Sequence, residues 1–365
     1  MSEWQTFYLK DLGKIVGGTT PPTNNPKNYG NKIAWITPKD LSTLQGRYIK
    51  KGSRSISRLG FKSCSCVLLP KHAILFSSRA PIGYVAIAKK RLCTNQGFKS
   101  IIPNKKIYFE FLYYLLKYHK DNISNIGGGT TFKEVSGATL GLFKVKIPPT
   151  YYEQQKIAHT LSILDQKIEN NHKINELLHT LAYKIYEYYF KYKPKNAKLE
   201  QIIIENPKSN IMVKNAQKTQ DKYPFFTSGD NTLSYPKAII DGRNCFLNTG
   251  GNAGIKFYVG KASYSTDTWC ICANEFSDYL YLLLSSIKNH INQSFFQGTS
   301  LKHLQKNLLK KYPIYMPSTH EIKKFNQIII PLLTLISINT RTSKKLEQVR
   351  DFLLPLLLKQ QVKPE

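Results

Sequence analysis

Phe111-Leu112-Tyr113-Tyr114-Leu115-Leu116 and Tyr279-Leu280-Tyr281-Leu282-Leu283-Leu284 are one helical phrase written twice, 168 residues apart. Downstream, Gly129-Thr130-Thr131-Phe132-Lys133 returns 169 residues later as Gly298-Thr299-Ser300-Leu301-Lys302, and Pro149, Glu153 and Lys156 return at 168 as Pro317, Glu321 and Lys324. Solenoid units repeat every 20–50 residues, so this period is a whole body with its following helix, duplicated. A chain of 365 residues holds two such halves. Duplication implies pseudo-two-fold symmetry and a ligand read in two parts.

Each copy leads into a long heptad pattern. The first seam is Ile157, Leu161, Leu164, Ile168, Asn171, Asn175, Leu178, Ala182, Ile185 and Tyr189, with spacings of four and three in alternation. The second is Phe325, Ile329, Leu332, Ile336, Asn339, Ser343, Leu346, Arg350, Leu353 and Leu357. The polar layer repeats as well: Asn171 matches Asn339, and Asn175 matches Ser343. Polar seam residues cost stability but fix register. A helix over 153–190 would run on the order of 55 Å at 1.5 Å per residue. The two helices are expected to pair as an antiparallel coiled coil, with Pro331 and Pro355 kinking or interrupting the second.

The rest reads as mixed α/β. Lys32–Ile36, Cys66–Leu69, Ala73–Phe76 and Tyr84–Ala88 are strand-like in the first half, and Tyr108–Lys120 is an amphipathic helix. Thr131 with Glu134 has the spacing of a capping box opening a short helix. Cys245–Leu247, Ile255–Val259 and Trp269–Cys272 are strand-like in the second half, after the linker Lys193-Pro194-Lys195-Asn196. The expected division is 1–150, a first globular body; 151–192, a spacer helix; 193–318, a second body; and 319–365, a second spacer helix.

The charge is uneven. Lys+Arg number 53 against 23 Asp+Glu, a net +30. Residues 1–150 carry +18, 151–192 none, 193–318 +8 and 319–365 +4. A uniformly Lys-rich background would not spare the first helix, so the basic bodies point to a polyanionic partner, nucleic acid first. Cys64/Cys66 and Cys270/Cys272 are i, i+2 pairs that would share a strand face, and no zinc spacing exists. Met1-Ser2-Glu3-Trp4 is no signal peptide, and Ile328–Ile338 is too short to span a bilayer. The expectation is a cytoplasmic protein with no membrane and no metal.

Catalytic patterns are missing. Gly254–Lys261 is one residue too long for a phosphate loop, with Ala262 where Ser or Thr is needed. No adenine-methyltransferase Asn-Pro-Pro-aromatic motif is present. Glu321-Ile322-Lys323 lacks the upstream Pro-Asp of a nuclease, and Glu321 reads instead as a first-turn acid.

Several segments resemble the specificity subunit of type I restriction–modification systems. They are Gly17-Gly18-Thr19-Thr20-Pro21, Trp35-Ile36-Thr37-Pro38-Lys39-Asp40-Leu41, Ser77-Ser78-Arg79-Ala80-Pro81-Ile82-Gly83 and Thr94-Asn95-Gln96-Gly97-Phe98. Glu153-Gln154-Gln155-Lys156-Ile157, Leu164-Asp165-Gln166-Lys167-Ile168 and Arg350-Asp351-Phe352-Leu353-Leu354-Pro355 continue the series. Lys359-Gln360-Gln361 departs from it, standing where the family usually has a Gly. The resemblance implies two target recognition domains, each reading half of a bipartite DNA site. It implies that the helices set the gap and dock modification subunits, and that restriction subunits join through the complex. No cofactor is then expected on this chain; S-adenosylmethionine, ATP and Mg belong to partner subunits. Stand-alone sequence-specific or architectural DNA binding is the alternative, and an enzyme with degenerate motifs a third reading. Candidate DNA contacts are Thr19, Lys39, Arg79, Asn95, Gln96 and Lys133 in the first body, and Asn252, Lys256, Thr268 and Lys302 in the second. Arg and Asn/Gln pair bidentately with guanine and adenine. Lys133 and Lys302, matched in the repeat, are expected at the starts of short helices, where N–H groups favour phosphate.

Overall fold

The computed structural model describes residues 3–128, 133–216 and 222–364. The chain forms two compact units, one of residues 1–170 with 343–365, the other of residues 171–342.

The first unit contains strands β1 (Gln5–Tyr8), β2 (Gly13–Gly17), β3 (Tyr29–Ile36), β4 (Tyr48–Ile49), β5 (Arg54–Ile56), β6 (Ile74–Ser78), β7 (Ile82–Ala88), β8 (Cys93–Thr94), β9 (Lys99–Pro103) and β10 (Lys144–Ile147). Its helices are α1 (Leu9–Leu12), α2 (Pro38–Ser42), α3 (Arg58–Lys62), α4 (Phe109–Asn125), α5 (Gly137–Gly141) and the first part of α6 (Tyr151–Tyr186). The second unit contains the rest of α6 and α7 (Val213–Ala216), with strands β11 (Ala197–Lys198), β12 (Ile204–Glu205), β13 (Tyr223–Phe226), β14 (Leu233–Tyr235), β15 (Arg243–Asn248), β16 (Ile255–Val259), β17 (Ser263–Tyr264) and β18 (Thr268–Cys272). Then come α8 (Ser277–Ser286), α9 (Lys288–Ser294), β19 (Phe296–Gln297), β20 (His303–Leu304), α10 (Lys306–Lys310) and β21 (Pro313–Ile314). Helix α11 (Thr319–Leu358) begins in the second unit and ends in the first.

The duplication is written in the strand order. The first unit has a sheet β2-β9-β6-β7-β4, and the second has β12-β18-β15-β16. A smaller sheet follows the same rule in both. It has an antiparallel and a parallel neighbour on its middle strand: β5-β3-β8 in one, β14-β13-β17 in the other. A ribbon, β1–β10 or β11–β21, closes each body beside the start of a long helix.

The repeated phrase explains the cores. A helix apolar all round must be covered all round, and all six residues of Phe111–Leu116 and of Tyr279–Leu284 are buried. In the first unit the phrase packs with Ile74, Phe76 and Ile87 of the sheet, Ile157 and Leu161 of α6, and Leu354 and Leu357 of α11. In the second it packs with Cys245, Leu247, Ala182, Phe190, Phe325, Ile329 and Leu333. Each such side chain contributes about 1.5–3 kcal/mol when fully buried. Residue 110 plus 168 gives another match: Glu110 and Asp278 each open the phrase helix and are each held by an arginine. Arg47 Nη1 lies 3.0 Å from Glu110, and Arg243 forms an ion pair with Asp278 and donates to Thr334 Oγ1 at 2.9 Å. Burial pushes the Asp278 carboxyl above its ordinary value despite that arginine.

The long helices run antiparallel within each unit. Asp165 meets Arg350 in the first; in the second, Asn175 meets Ile336 and Thr340 while Phe190 meets Phe325. Seam residues Ile157, Leu161, Ile168, Asn171, Ile329 and Ile336 are buried, and Leu164, Leu178, Ile185, Leu332, Asn339, Leu346 and Leu353 are half-buried. The asparagine layer pairs across, Asn339 Nδ2 donating to Asn175 Oδ1 at 3.0 Å. Both helices open on matched capping boxes, Thr150 with Glu153 and Ser318 with Glu321. Glu321 is therefore a cap, as its first-turn position implied.

Three expectations need correction. Pro331 and Pro355 do not interrupt α11, which runs unbroken from Thr319 to Leu358; Pro331 is exposed between the buried Ile329 and Leu333, which hold the helix on the core from both sides. Cys66–Leu69 forms no strand beyond a single bridge of Leu69 to Leu92, and Cys64 and Cys66 lie in and just after a turn behind α3. The third concerns Glu134. The helix it was to open starts at Gly137 and is capped by Ser136, whose Oγ accepts from Thr139 N–H at 3.0 Å. Thr131, the other half of that capping box, lies outside the described residues.

Candidate nucleic-acid interface

In the first unit, loops from five places converge at one end of the sheets. Ser78 N–H donates to Gly97 O at 2.8 Å, and Val135 N–H donates to Ser78 O at 3.0 Å. Gly97 lies so close to Pro38 that a Cβ there would stand 2.8 Å from its Cγ. Gly18 packs still closer, with room for no side chain: a Cβ would sit 2.0 Å from Asn95 O. This is why Gly17-Gly18 precedes the polar Thr19-Thr20. Thr19, Lys39, Arg79, Asn95, Gln96 and Lys133 thus belong to one loop cluster, though they play different parts.

Thr19 is committed to the scaffold. Its N–H donates to Thr94 O at 3.0 Å, its hydroxyl to Cys66 Sγ at 3.1 Å, and its carbonyl accepts from Trp35 Nε1 at 3.0 Å. Asn95 forms a turn, its Oδ1 accepting from Gly97 N–H at 3.0 Å. Gln96 is exposed and its Oε1 accepts from Thr20 Oγ1, leaving the amide N–H groups outward. Arg79 and Lys99 share Glu134, at 3.3 and 3.2 Å. Lys39, on α2, and Lys133 are exposed, with no ion pair to a described residue.

The second unit builds the equivalent cluster between equivalent strands. Gly251 N–H donates to Lys302 O at 2.9 Å, Leu304 N–H to Thr249 O at 3.0 Å, and Thr249 Oγ1 to Asp267 O at 2.7 Å. Asn252 and Lys302 are exposed there. Two expected contacts are corrected. Thr268 is 7% exposed and its hydroxyl bonds Phe226 O at 3.2 Å, so it is part of the wall. Lys256 turns inward, its Nζ donating to Thr227 O at 2.7 Å and Asn248 Oδ1 at 3.1 Å, and burial lowers its pKa. Lys133 and Lys302 are not at helix starts: α5 and α10 begin at Gly137 and Lys306, so the anion-site argument does not apply to either.

The structure also exposes residues the sequence reading missed. Asn95 N–H donates to Ile36 O and Ser265 N–H to Phe226 O, each just beyond a parallel strand pair. Ser265 therefore takes the place of Asn95, and Thr266 that of Gln96. Thr266 and Asp267 are exposed on the turn. The signal was available in Tyr264-Ser265-Thr266-Asp267, a short polar turn between two strand-like runs.

Among the described residues no His, Cys, Asp and Glu group of three or more is placed to hold a metal ion, and no helix is long and apolar enough to cross a membrane. What the two clusters offer is polar, hydrogen-bonding loop surface on a rigid scaffold, with cations beside it.

Comparison with known proteins gives these features a context. The family described as the type I restriction modification DNA specificity domain matches residues 1–180 and again 195–348, one match for each copy of the repeat. The type I restriction enzyme MjaIX specificity subunit of Methanocaldococcus jannaschii is 33% identical, covering 98% of this chain and 93% of its own. The HindI specificity subunit of Haemophilus influenzae is 30% identical over 46% of this chain and 37% of its own. The crystal structure of a type I S subunit from M. genitalium has the same fold, with a TM-score of 0.64 at 17% identity over 97% of this chain and 96% of that one. The chain belongs to the specificity-subunit family of type I restriction–modification systems, the non-catalytic DNA-recognition component of those complexes.

Proposed function

We propose that the chain reads a bipartite duplex DNA sequence, one half with the loop cluster of each unit. The observation that carries this reading is the repetition itself. The same strand order, joined in the same way, presents an exposed polar turn at the same place twice: Asn95-Gln96 and Ser265-Thr266. In the first unit Gln96, Asn95 and Lys39 would contact bases or phosphates; in the second, Asn252, Thr266 and Lys302 would. Base edges specify and phosphates position.

The long helices would dock the modification subunits, and restriction subunits would join through them. Each helix carries a second apolar stripe that its own unit leaves uncovered. On α6 it includes Ile174, Leu177, Leu181 and Tyr188, with Leu177 70% and Tyr188 86% exposed; on α11 it includes Ile328, Leu335, Ile338, Val349 and Phe352. Both stripes keep spacings of three and four, the pattern that accepts further helices. S-adenosylmethionine, ATP and Mg would be bound by those partners.

The test is to co-express the chain with an adenine methyltransferase subunit from the same source and map methylated adenines across a host genome. A new split motif with a fixed gap, absent without this chain, is the expected result. Co-purified subunits that leave methylation unchanged would sink the recognition role. Failure to co-purify would favour a stand-alone DNA binder.

A further inference from the structure

We propose that the first unit holds a second DNA contact, sequence-independent and remote from its reading loops. It is a pole of six cations that grips phosphates of the duplex beyond the half-site itself. The proposal rests on the reading of this chain as a split-site DNA recogniser.

Three turns meet at the far end of the β6–β7 hairpin from Arg79 and Pro81. Lys89 N–H donates to Ile49 O at 2.9 Å, His72 N–H donates to Ala88 O at 2.9 Å, and Leu69 bridges Leu92. These bonds bring together Lys50, Lys51, Lys71, Lys89, Lys90 and Arg91, all exposed. None of the six makes an ion pair with a described residue, and the turns contain no acid. The neighbouring carboxylates are engaged elsewhere. Asp40 accepts from Thr37 and Ser53 N–H at 2.8 and 2.7 Å, and Glu110 and Glu169 are bonded to Arg47.

Six like charges held together without counter-charges oppose folding, so stability does not explain them. Nor does a general surplus of lysine, because the second unit does not repeat the feature. Its equivalent turns, around β15 and the end of β16, expose Lys237 and Lys261 with Asp241, and Arg243 is taken by Asp278. A polyanion that meets only one unit at this place fits the asymmetry.

Geometry says which phosphates. Strand β7 spans the seven residues between the reading loops and the pole, or roughly 20 Å at ~3.3 Å per residue. DNA carries one phosphate per 3.4 Å along each strand, so the pole falls about six base pairs from the bases read. That segment is either the unread gap or the outer flank of the half-site, and both present the same backbone.

The experiment uses the full chain with its methyltransferase partner and the mapped target duplex. Binding is measured from 50 to 200 mM salt for the wild type and for the variant Lys50→Gln, Lys51→Gln, Lys71→Gln, Lys89→Gln, Lys90→Gln, Arg91→Gln. A charge-matched control converts Lys10, Lys14, Lys105, Lys106, Lys144 and Lys146, also exposed, to Gln. Each lost phosphate contact flattens the log K against log salt slope by about 0.9. The expected result is a slope shallower by about 3 and affinity at low salt down by about 10-fold or more, equally for target and random DNA, so that the specificity ratio holds. The control should move the slope by less than half as much. An unchanged slope in the pole variant, or an equal change in the control, overturns the proposal while leaving the split-site reading intact. Should the wild-type complex not prefer its target at all, that reading itself fails. Neutral methylphosphonate linkages placed in turn in the gap and in the flank of wild-type DNA give an answer that needs no variant. Weakened binding from one block about six base pairs from the contacted bases supports the pole and names the segment; no effect from either contradicts it.

Discussion

The two units solve the same packing problem with opposite chemistry. Asp165 of α6 meets Arg350 of α11 in the first unit, Nη1 to Oδ1 at 2.6 Å, with side chains only 5% and 14% exposed. Shifted by 168, the counterpart positions are Leu333 of α11 and Ala182 of α6, both in the apolar core of the second unit. The same substitution of polar by apolar recurs at Gln154, which bonds Tyr108 N–H and the Lys106 and Pro148 carbonyls, against Ile322, 1% exposed. Burying two charges costs nearly as much as their attraction returns, so an apolar pair can hold a helix crossing as well as an ion pair can. What the ion pair adds is exclusivity. Arg350 finds a buried carboxylate only at Asp165, so α11 is locked to one register in the first unit by charge, and in the second by shape and the Asn175–Asn339 bond.

Breaking one partner should have the largest effect. Asp165→Ala leaves Arg350 without its carboxylate and Tyr114 Oη, now 2.6 Å from Asp165 Oδ2, without an acceptor. A loss of about 3–5 kcal/mol is expected in denaturant titrations. The double variant Asp165→Leu, Arg350→Ala, which copies the second unit, should regain more than half of that. A double variant no more stable than the single would mean that charge, not packing, holds the crossing. Leu333→Ala in the second unit should cost about 2–4 kcal/mol, as expected of a buried leucine.

Next come effects on recognition. Gln96→Ala should relax the first half of the target by about 1–3 kcal/mol and leave the second half unchanged; Thr266→Ala should do the reverse, by less. Methylation profiles over a randomised target library would show this, and equal blurring of both halves by either change would refute the separate roles.

The smallest effects belong to the caps. Thr150→Ala and Ser318→Ala should each destabilise by about 1 kcal/mol. Glu321 adds a pH signature. The Ser318 N–H, the Tyr315 hydroxyl and the Ser318 hydroxyl hold its carboxyl below the ordinary value of 4.5. A depressed folded-state pKa means its contribution is present above about pH 4.5 and fades as the pH falls through the lower value. The pH dependence of thermal unfolding should therefore flatten in Glu321→Gln between pH 3 and 5; an unchanged profile would remove the cap from the account.

Periodicity made the architecture legible. The phrase at Phe111 and Tyr279 and the heptad seams announced two α/β bodies and two long helices before any coordinates, because a spacing sustained over ten seam positions leaves few alternatives. Single contact residues were harder to read for a matching physical reason. Strand side chains alternate faces every residue, so moving from Thr266 to Thr268 crosses from solvent to core at the start of β18. Lys256 reads as an outward strand lysine, yet the Thr227 carbonyl and Asn248 amide give its ammonium an inward site that no local pattern reveals. Lys133 and Lys302 were placed one helical turn too early because Thr/Ser-rich loops imitate caps, whereas Ser136 is the residue that caps α5. The pairing of Glu110 with Arg47 spans 63 residues and needed the fold to become visible.

The first unit is discontinuous: its core includes Leu354, Leu357 and Leu358, which follow the whole of the second unit in the chain. During synthesis the ribosome delivers residues 1–170 first, yet Ile157 and Leu161 must wait uncovered until residues 343–358 emerge. The second unit, continuous in sequence, can close in the meantime. Order of translation and order of folding are thus reversed, and the half with the greater share of positive charge spends that interval as an open basic surface that chaperones, or nucleic acid itself, can occupy.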